Sequence, residues 1–236
     1  NSSIFLNIGA LLDGAHSIRI YANNSLSVIN YSEISFAIDT MSPNITLQSL
    51  LDSIYNSSWI LVNISLNEIG ASCNVSIDES ENMLMQNESQ TSWIKNISFE
   101  SDGNHNAKFY CKDFADNTRE SSIVYFLIDT TPPIINKILP ENNSVFQKGQ
   151  TISLSIKAAD NINSAPEYII WFDELEISRS NETTYRLNET RNHTIQFSAS
   201  DGMNTVFESI NIIVIPQINL SILSPENKTY SDARIM

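Results

Sequence analysis

The chain has 236 residues and a net charge of −14, yet only 17% of its residues are charged. Thirteen scattered Lys and Arg cannot build a phosphate-neutralising stripe, which disfavours nucleic acid as a partner. No apolar run is long enough to cross a bilayer, and no signal-type segment opens the chain.

In chain order, the first apolar segment is Ile4 to Ile8. It is followed by Asp13-Gly14-Ala15-His16 with alternating Ile18, Ile20 and Ala22, then by Ile34, Phe36 and Ile38. Period-two alternation predicts strands with one packed and one wet face. Further alternating runs are Ile45 and Leu47; Ile60, Val62, Ile64 and Leu66; Cys73, Val75 and Ile77; and Trp93, Lys95, Ile97 and Phe99. A weak run at Met83 to Met85 reads as an edge strand or a loop. Residues 105–112 and 122–128 complete a set of seven. The same order returns at Ile134–Leu139, Ile152–Ala158, Tyr168–Phe172, Leu175–Ile177, Thr184–Leu187, His193–Ala199 and Val206–Ile215.

The repeat is visible without any structure. Asp102-Gly103-Asn104-His105 echoes Asp13-Gly14-Ala15-His16, and Asn192-His193 echoes both. The three histidines are 89 and 88 residues apart. A Pro-Glu-Asn turn recurs at Pro140 and at Pro225. A period near 90 exceeds that of solenoid or propeller repeats and fits a string of small all-β domains, each with its own core.

Asp129-Thr130-Thr131-Pro132-Pro133 joins two copies. Paired prolines fix φ and leave no flexible linker, so a semi-rigid rod is expected. The expected division is 1–38 as the C-terminal part of a domain, 39–129 and 130–216 as complete domains, and 217–236 as the first strand of a further one. Both ends are expected to continue in the parent protein or to be completed by neighbouring copies.

The Asp-Gly-x-His signature, the alternation to Ala or Cys, the following x-Asp, the Asn-bearing turn and the Asp-Thr-Thr-Pro-Pro joint together resemble the bacterial and archaeal Ig-like repeats of large cell-surface proteins. The resemblance covers essentially the whole chain. It implies an all-β fold of tandem Ig-like antiparallel β-sandwich domains in a rod-like array, and it leaves function open. Two departures stand out. The turn reads Asp116-Asn117 and Met203-Asn204 where Gly-Asn is usual, and Asn24 replaces the Asp of Asp113 and Asp201.

Asn-x-Ser/Thr occurs at Asn1, Asn23, Asn30, Asn44, Asn56, Asn63, Asn74, Asn87, Asn96, Asn142, Asn181, Asn188, Asn192, Asn219 and Asn227. Random placement of 28 Asn among 47 Ser and Thr would give roughly six such sites, so the excess is more than twofold. Asn63, Asn74 and Asn219 sit between apolar neighbours, and alternation puts them on the wet face, where a glycan fits. Cys73 and Cys111 have core parity on strands that neighbour each other in an Ig-like sandwich. A disulfide there would close about 38 residues, contribute about 4 kcal/mol and imply an oxidising compartment. Their counterparts Tyr168 and Ala199 cannot form a bridge.

Other side chains receive structural readings. His16, His105 and His193 are expected to hydrogen-bond in strand corners rather than converge on a metal. Asp113, Asp129, Asp160 and Asp201 lie at strand ends; calcium is conceivable there, but solvated turn caps are expected. Trp59 and Trp93 read as packing residues, while Trp171 is the best candidate for an exposed aromatic that could stack on a sugar. Asp173-Glu174 reads as a solvated turn. No nucleophile–base set stands out, so no catalytic residue, resident cofactor or metal is assigned, and the protein is not read as an enzyme.

The expected role is a structural segment of an extracellular, N-glycosylated, archaeal-type cell-surface protein that assembles into a filament, sheath or surface layer. Its partners would be other copies of itself or other surface proteins. The alternatives are the stalk of a cell-surface adhesin and an accessory Ig-like region of a secreted enzyme.

Overall fold

The computed structural model describes residues 9–50, 54–162 and 165–218. Among these residues every regular element is a β-strand. The chain divides into two compact units, residues 1–128 and 129–236. The strand expected at Ile4 to Ile8 and the segment from Asn219 onward lie outside the described residues.

The first unit opens with a hairpin, β1 (Gly14–Asn23) paired to β2 (Ile29–Ile38) from Gly14 opposite Ile38 to Asn23 opposite Ile29. It forms a two-stranded sheet of its own, with Ile20, Ile29 and Ile34 exposed. A sandwich follows. One sheet runs β3 (Ile45–Leu47), β5 (Trp59–Leu66), β9 (Ser92–Ser98) and β8 (Gln86–Ser89). The other runs β4 (Ile54–Tyr55), β12 (Val124–Ile128), β10 (Gly103–Asp113), β6 (Gly70–Ile77) and β7 (Met83–Leu84), with β11 (Thr118–Glu120) paired to β10. Alternation does the sorting: Val62 and Ile64 from one sheet meet Val75, Phe109, Phe126 and Ile128 from the other in one buried cluster. Cys73 and Cys111 stand directly opposite on β6 and β10 and are bonded, so the bridge ties two strands within one sheet.

The second unit repeats the plan. One sheet runs β13 (Ile134–Leu139), β15 (Thr151–Ala159) and β18 (Glu182–Arg186). The other runs β14 (Ser144–Gln147), β20 (Thr205–Ile215), β19 (Asn192–Ser200), β16 (Glu167–Phe172) and β17 (Leu175–Ser178). Ile152, Leu154 and Ile156 pack against Ile170, Phe172, Ile195, Phe197 and Ile212 in a separate core. Tyr168 stands opposite Ala199 where the first unit has Cys73 opposite Cys111. A tyrosine and an alanine fill the place of the bridge.

Alternation does not foretell β4 and β14. Both pair in parallel with the last strand of their sheet, β4 with β12 and β14 with β20. Two and four residues are too few for a period-two signal. Met83–Leu84 does form an edge strand, and the added β8 lies on the opposite sheet.

Candidate functional site

The most regular local structure is the turn joining the last two long strands of each copy. Asp113 Oδ1 accepts hydrogen bonds from the backbone N–H groups of Ala115 (2.8 Å) and Asn117 (2.9 Å). Asp201 Oδ1 accepts from Met203 and Asn204, both at 2.6 Å. Asn24 Oδ1 accepts from Leu26 (2.9 Å) and Val28 (3.1 Å), so a neutral amide oxygen does the same work in the first hairpin. The Asn that follows each Asp then reaches back along the chain. Asn117 Nδ2 donates to the Asp39 carbonyl at 3.1 Å, and Asn204 Nδ2 to the Asp129 carbonyl at 3.4 Å. The missing glycine also has a physical counterpart. Asp116 adopts φ +65°, the left-handed conformation glycine usually supplies, and in the second unit Gly202 takes φ +101° one place before Met203.

The histidines close the opposite end of the same strands. In all three copies Nε2 faces the carbonyl four residues earlier: Leu12 from His16 (2.7 Å), Ser101 from His105 (3.3 Å) and Glu189 from His193 (3.2 Å). In the two sandwiches Nδ1 donates to a carboxylate, Asp78 Oδ2 at 2.7 Å and Asp173 Oδ2 at 2.6 Å. The other oxygen of each carboxylate accepts the N–H of the residue after the histidine, Asn106 or Thr194. Asp78 and Asp173 both sit at φ +48° in the turn after the strand carrying Cys73 or Tyr168. The pair is a strand clip. His193 is 4% exposed and both its nitrogens are engaged, so it offers neither to a substrate. Asp173 also receives Arg191 at 2.6 Å. Asp173 is therefore a hydrogen-bonding hub rather than a solvated turn residue, while Glu174 beside it is exposed. A repeated Asp 27 or 20 residues before a repeated His was the available signal.

Two acidic groups form at matching places. Asp39, Glu68 and Asp113 bring one oxygen each within 4.8 Å of one another, and so do Asp129, Asp160 and Asp201. The expectation of solvated caps fails for two of them: Asp113 is 2% exposed and Asp129 is 3% exposed. Three like charges gathered at a partly desolvated place repel. Burial and then the charges of Asp39 and Asp113 push the Glu68 carboxyl above its ordinary range. Asp113 resolves the opposite way: burial pushes its pKa up, but bonds from the Asn117 side chain and the Asn117 and Ala115 backbones outweigh this and lower it. Either trio offers three oxygens to a hard cation such as calcium, which takes six to eight, so carbonyls and water would have to supply the rest.

The tryptophans separate differently from expectation. Trp93 is buried. Trp59 is 57% exposed, because as the first residue of β5 it lies on the wet face and past the edge of the core. Trp171 is half-buried and lies 6.2 Å from Phe207, ring centre to ring centre. None of the twelve sequon asparagines among the described residues is buried. Asn63 and Asn74 are half-buried and stand on the outer faces of β5 and β6. Asn1, Asn219 and Asn227 lie outside the described residues.

Neither family models nor curated protein sequences match the chain. Solved structures resemble it in fold. Fibronectin(III)-like modules of Clostridium thermocellum CbhA are 17% identical, with a TM-score of 0.44 over 73% of this chain and 95% of that one. Extracellular domains 3–5 of Drosophila OTK are 9% identical, with a TM-score of 0.45 over 85% and 71%. The assignment to Ig-like β-sandwiches rests on the strand registers given above, and these likenesses add nothing about function.

Proposed function

We propose that this chain is a structural segment of an extracellular, N-glycosylated surface protein whose copies assemble into a filament, sheath or surface layer. The observation that supports it best is the presence of two separate sandwich cores of one plan, with none of the twelve described sequon asparagines in either. A bonded cysteine pair belongs to an oxidising compartment.

The work is mechanical. Each sandwich is a small cooperative unit, and the disulfide staples one of them. Pro132 and Pro133 restrict the joint. Glycans cover the outer faces, and neighbouring copies or other surface proteins bury the apolar side chains exposed on the first hairpin.

Isolating the protein from its native surface tests this directly. Glycopeptide mass spectrometry should find sugar on several of the fifteen sequons. Electron microscopy of the undissociated material should show a regular polymer. Bare asparagines throughout, or monomers as the native form, would end the proposal.

A further inference from the structure

The outer face of the longer sheet is filled in the first unit and hollow in the second. The ladder registers align Cys73–Cys111 with Tyr168–Ala199, so Ser198 stands where Tyr110 stands and Ser200 where Lys112 stands. In the first unit Lys108 lies 5.2 Å over the Tyr110 ring and is tied to Glu120, and Asn74, a sequon residue, lies opposite Tyr110. Large side chains cover that sheet. In the second unit the central strand offers serines instead, and a groove of about 640 Å³ opens over them.

The groove has a defined chemistry. Ser198 forms the floor and is 3% exposed, flanked in the ladders by Ile169 on β16 and Phe207 on β20. Phe207, 59% exposed, leans toward Trp171 and completes an aromatic wall. Ser200 lies between Glu167 and Thr205 in the next row. Arg179 also lines the groove, and Glu176 holds its guanidinium at 2.8 Å through both carboxylate oxygens. Aromatic surface, hydroxyls, one carboxylate and one oriented guanidinium thus converge on one cleft, the pattern of a ligand site with a few placed polar groups.

This combination selects its occupant. An apolar protein surface would strip water from the Glu167 carboxylate and from the Arg179–Glu176 ion pair and return no hydrogen bonds, which is costly. A polyanion would meet Glu167 in a chain of net charge −14. A sugar ring meets both halves of the lining: its C–H face lies on an aromatic ring, and its rim of hydroxyls both donates to and accepts from charged and hydroxyl side chains. We propose that this groove binds a neutral oligosaccharide, stacked on Trp171 and Phe207 and hydrogen-bonded by Glu167 and Arg179.

The test uses the full chain, titrated with cellotetraose, chitotetraose and maltotetraose to about 10 mM, a range that captures millimolar affinities. Binding is read by calorimetry and by tryptophan fluorescence. At least one of the sugars should bind saturably. W171A and F207A should each weaken it about tenfold or more, a loss of roughly 1.4 kcal/mol, while W59A leaves it unchanged. Phe207 is exposed, so F207A keeps the test valid even if W171A disturbs the fold. Absence of saturable binding to all three sugars would overturn the proposal. So would binding that F207A leaves intact, or tighter binding of a polyproline peptide than of any sugar.

Discussion

Reducing the Cys73–Cys111 bond should destabilise the first unit and leave the second untouched. The bond links residues 38 apart in sequence. In the chain-entropy model a loop of that length restrains the unfolded chain by about 4 kcal/mol at room temperature. Reduction isolates that contribution, because the two sulfurs stay in place in a core where Cys73 and Cys111 are buried among Val75 and Phe109. A domain of this size loses roughly 4–8 °C of melting temperature per kcal/mol, so the first unit's transition should fall by on the order of 20 °C. The second unit fills the same ladder position with Tyr168 and Ala199 and has nothing to reduce. Scanning calorimetry with and without a phosphine reductant should therefore show one transition moving and one fixed. Two transitions moving together, or a single transition spanning both units, would refute the claim of separate cores. A shift of only a degree or two would refute the loop argument itself.

Phe109 and Phe197 occupy matching core positions and are fully buried. F109A and F197A should each cost about 3–5 kcal/mol, and each should lower only its own unit's transition in denaturant titrations. At Asp173, burial pushes the pKa up, but the hydrogen bonds from His193 and the Thr194 backbone, with the charges of His193 and Arg191, outweigh it and hold the pKa below the ordinary 3.8. A depressed folded-state pKa gives stability that is present above the unfolded value and lost as pH falls through the folded one. The second unit's melting temperature should thus drop in acid more steeply for wild type than for D173N; parallel curves would count against the clip. Glu68 has the opposite sign. Its folded-state pKa is raised, so its charge destabilises the fold at neutral pH and protonation relieves this as pH falls through the folded value. In chelator at neutral pH, E68Q should raise the first unit's melting temperature, and a lowered one would show that the carboxylate contributes favourably there.

Much of the fold was legible because a sandwich strand announces itself: Ile60 to Leu66 and Ile152 to Ile156 point alternate side chains inward, and the burial follows that parity. The repeat made the turns legible too, since Asn24, Asp113 and Asp201 perform one task at one position. What escaped was information held between strands rather than along them. The clip from His193 to Asp173 spans 20 residues, and the trio of Asp39, Glu68 and Asp113 is assembled from three separate connections. Ser198 reads as one more polar residue in a serine-rich chain until the ladder sets it beside Phe207. Trp59 misled for a different reason: its place at the start of a strand suggests packing, although the parity of Ile60 and Val62 already puts it on the wet face.

The short parallel strands β4 and β14 bear on how such units avoid sticking to each other. Each lies along the final long strand of its sheet and occupies amide and carbonyl groups that would otherwise invite a foreign strand. The edge of each sheet on that flank is thereby handed to a strand of only two or four residues, too short a template for an extended backbone ladder between copies.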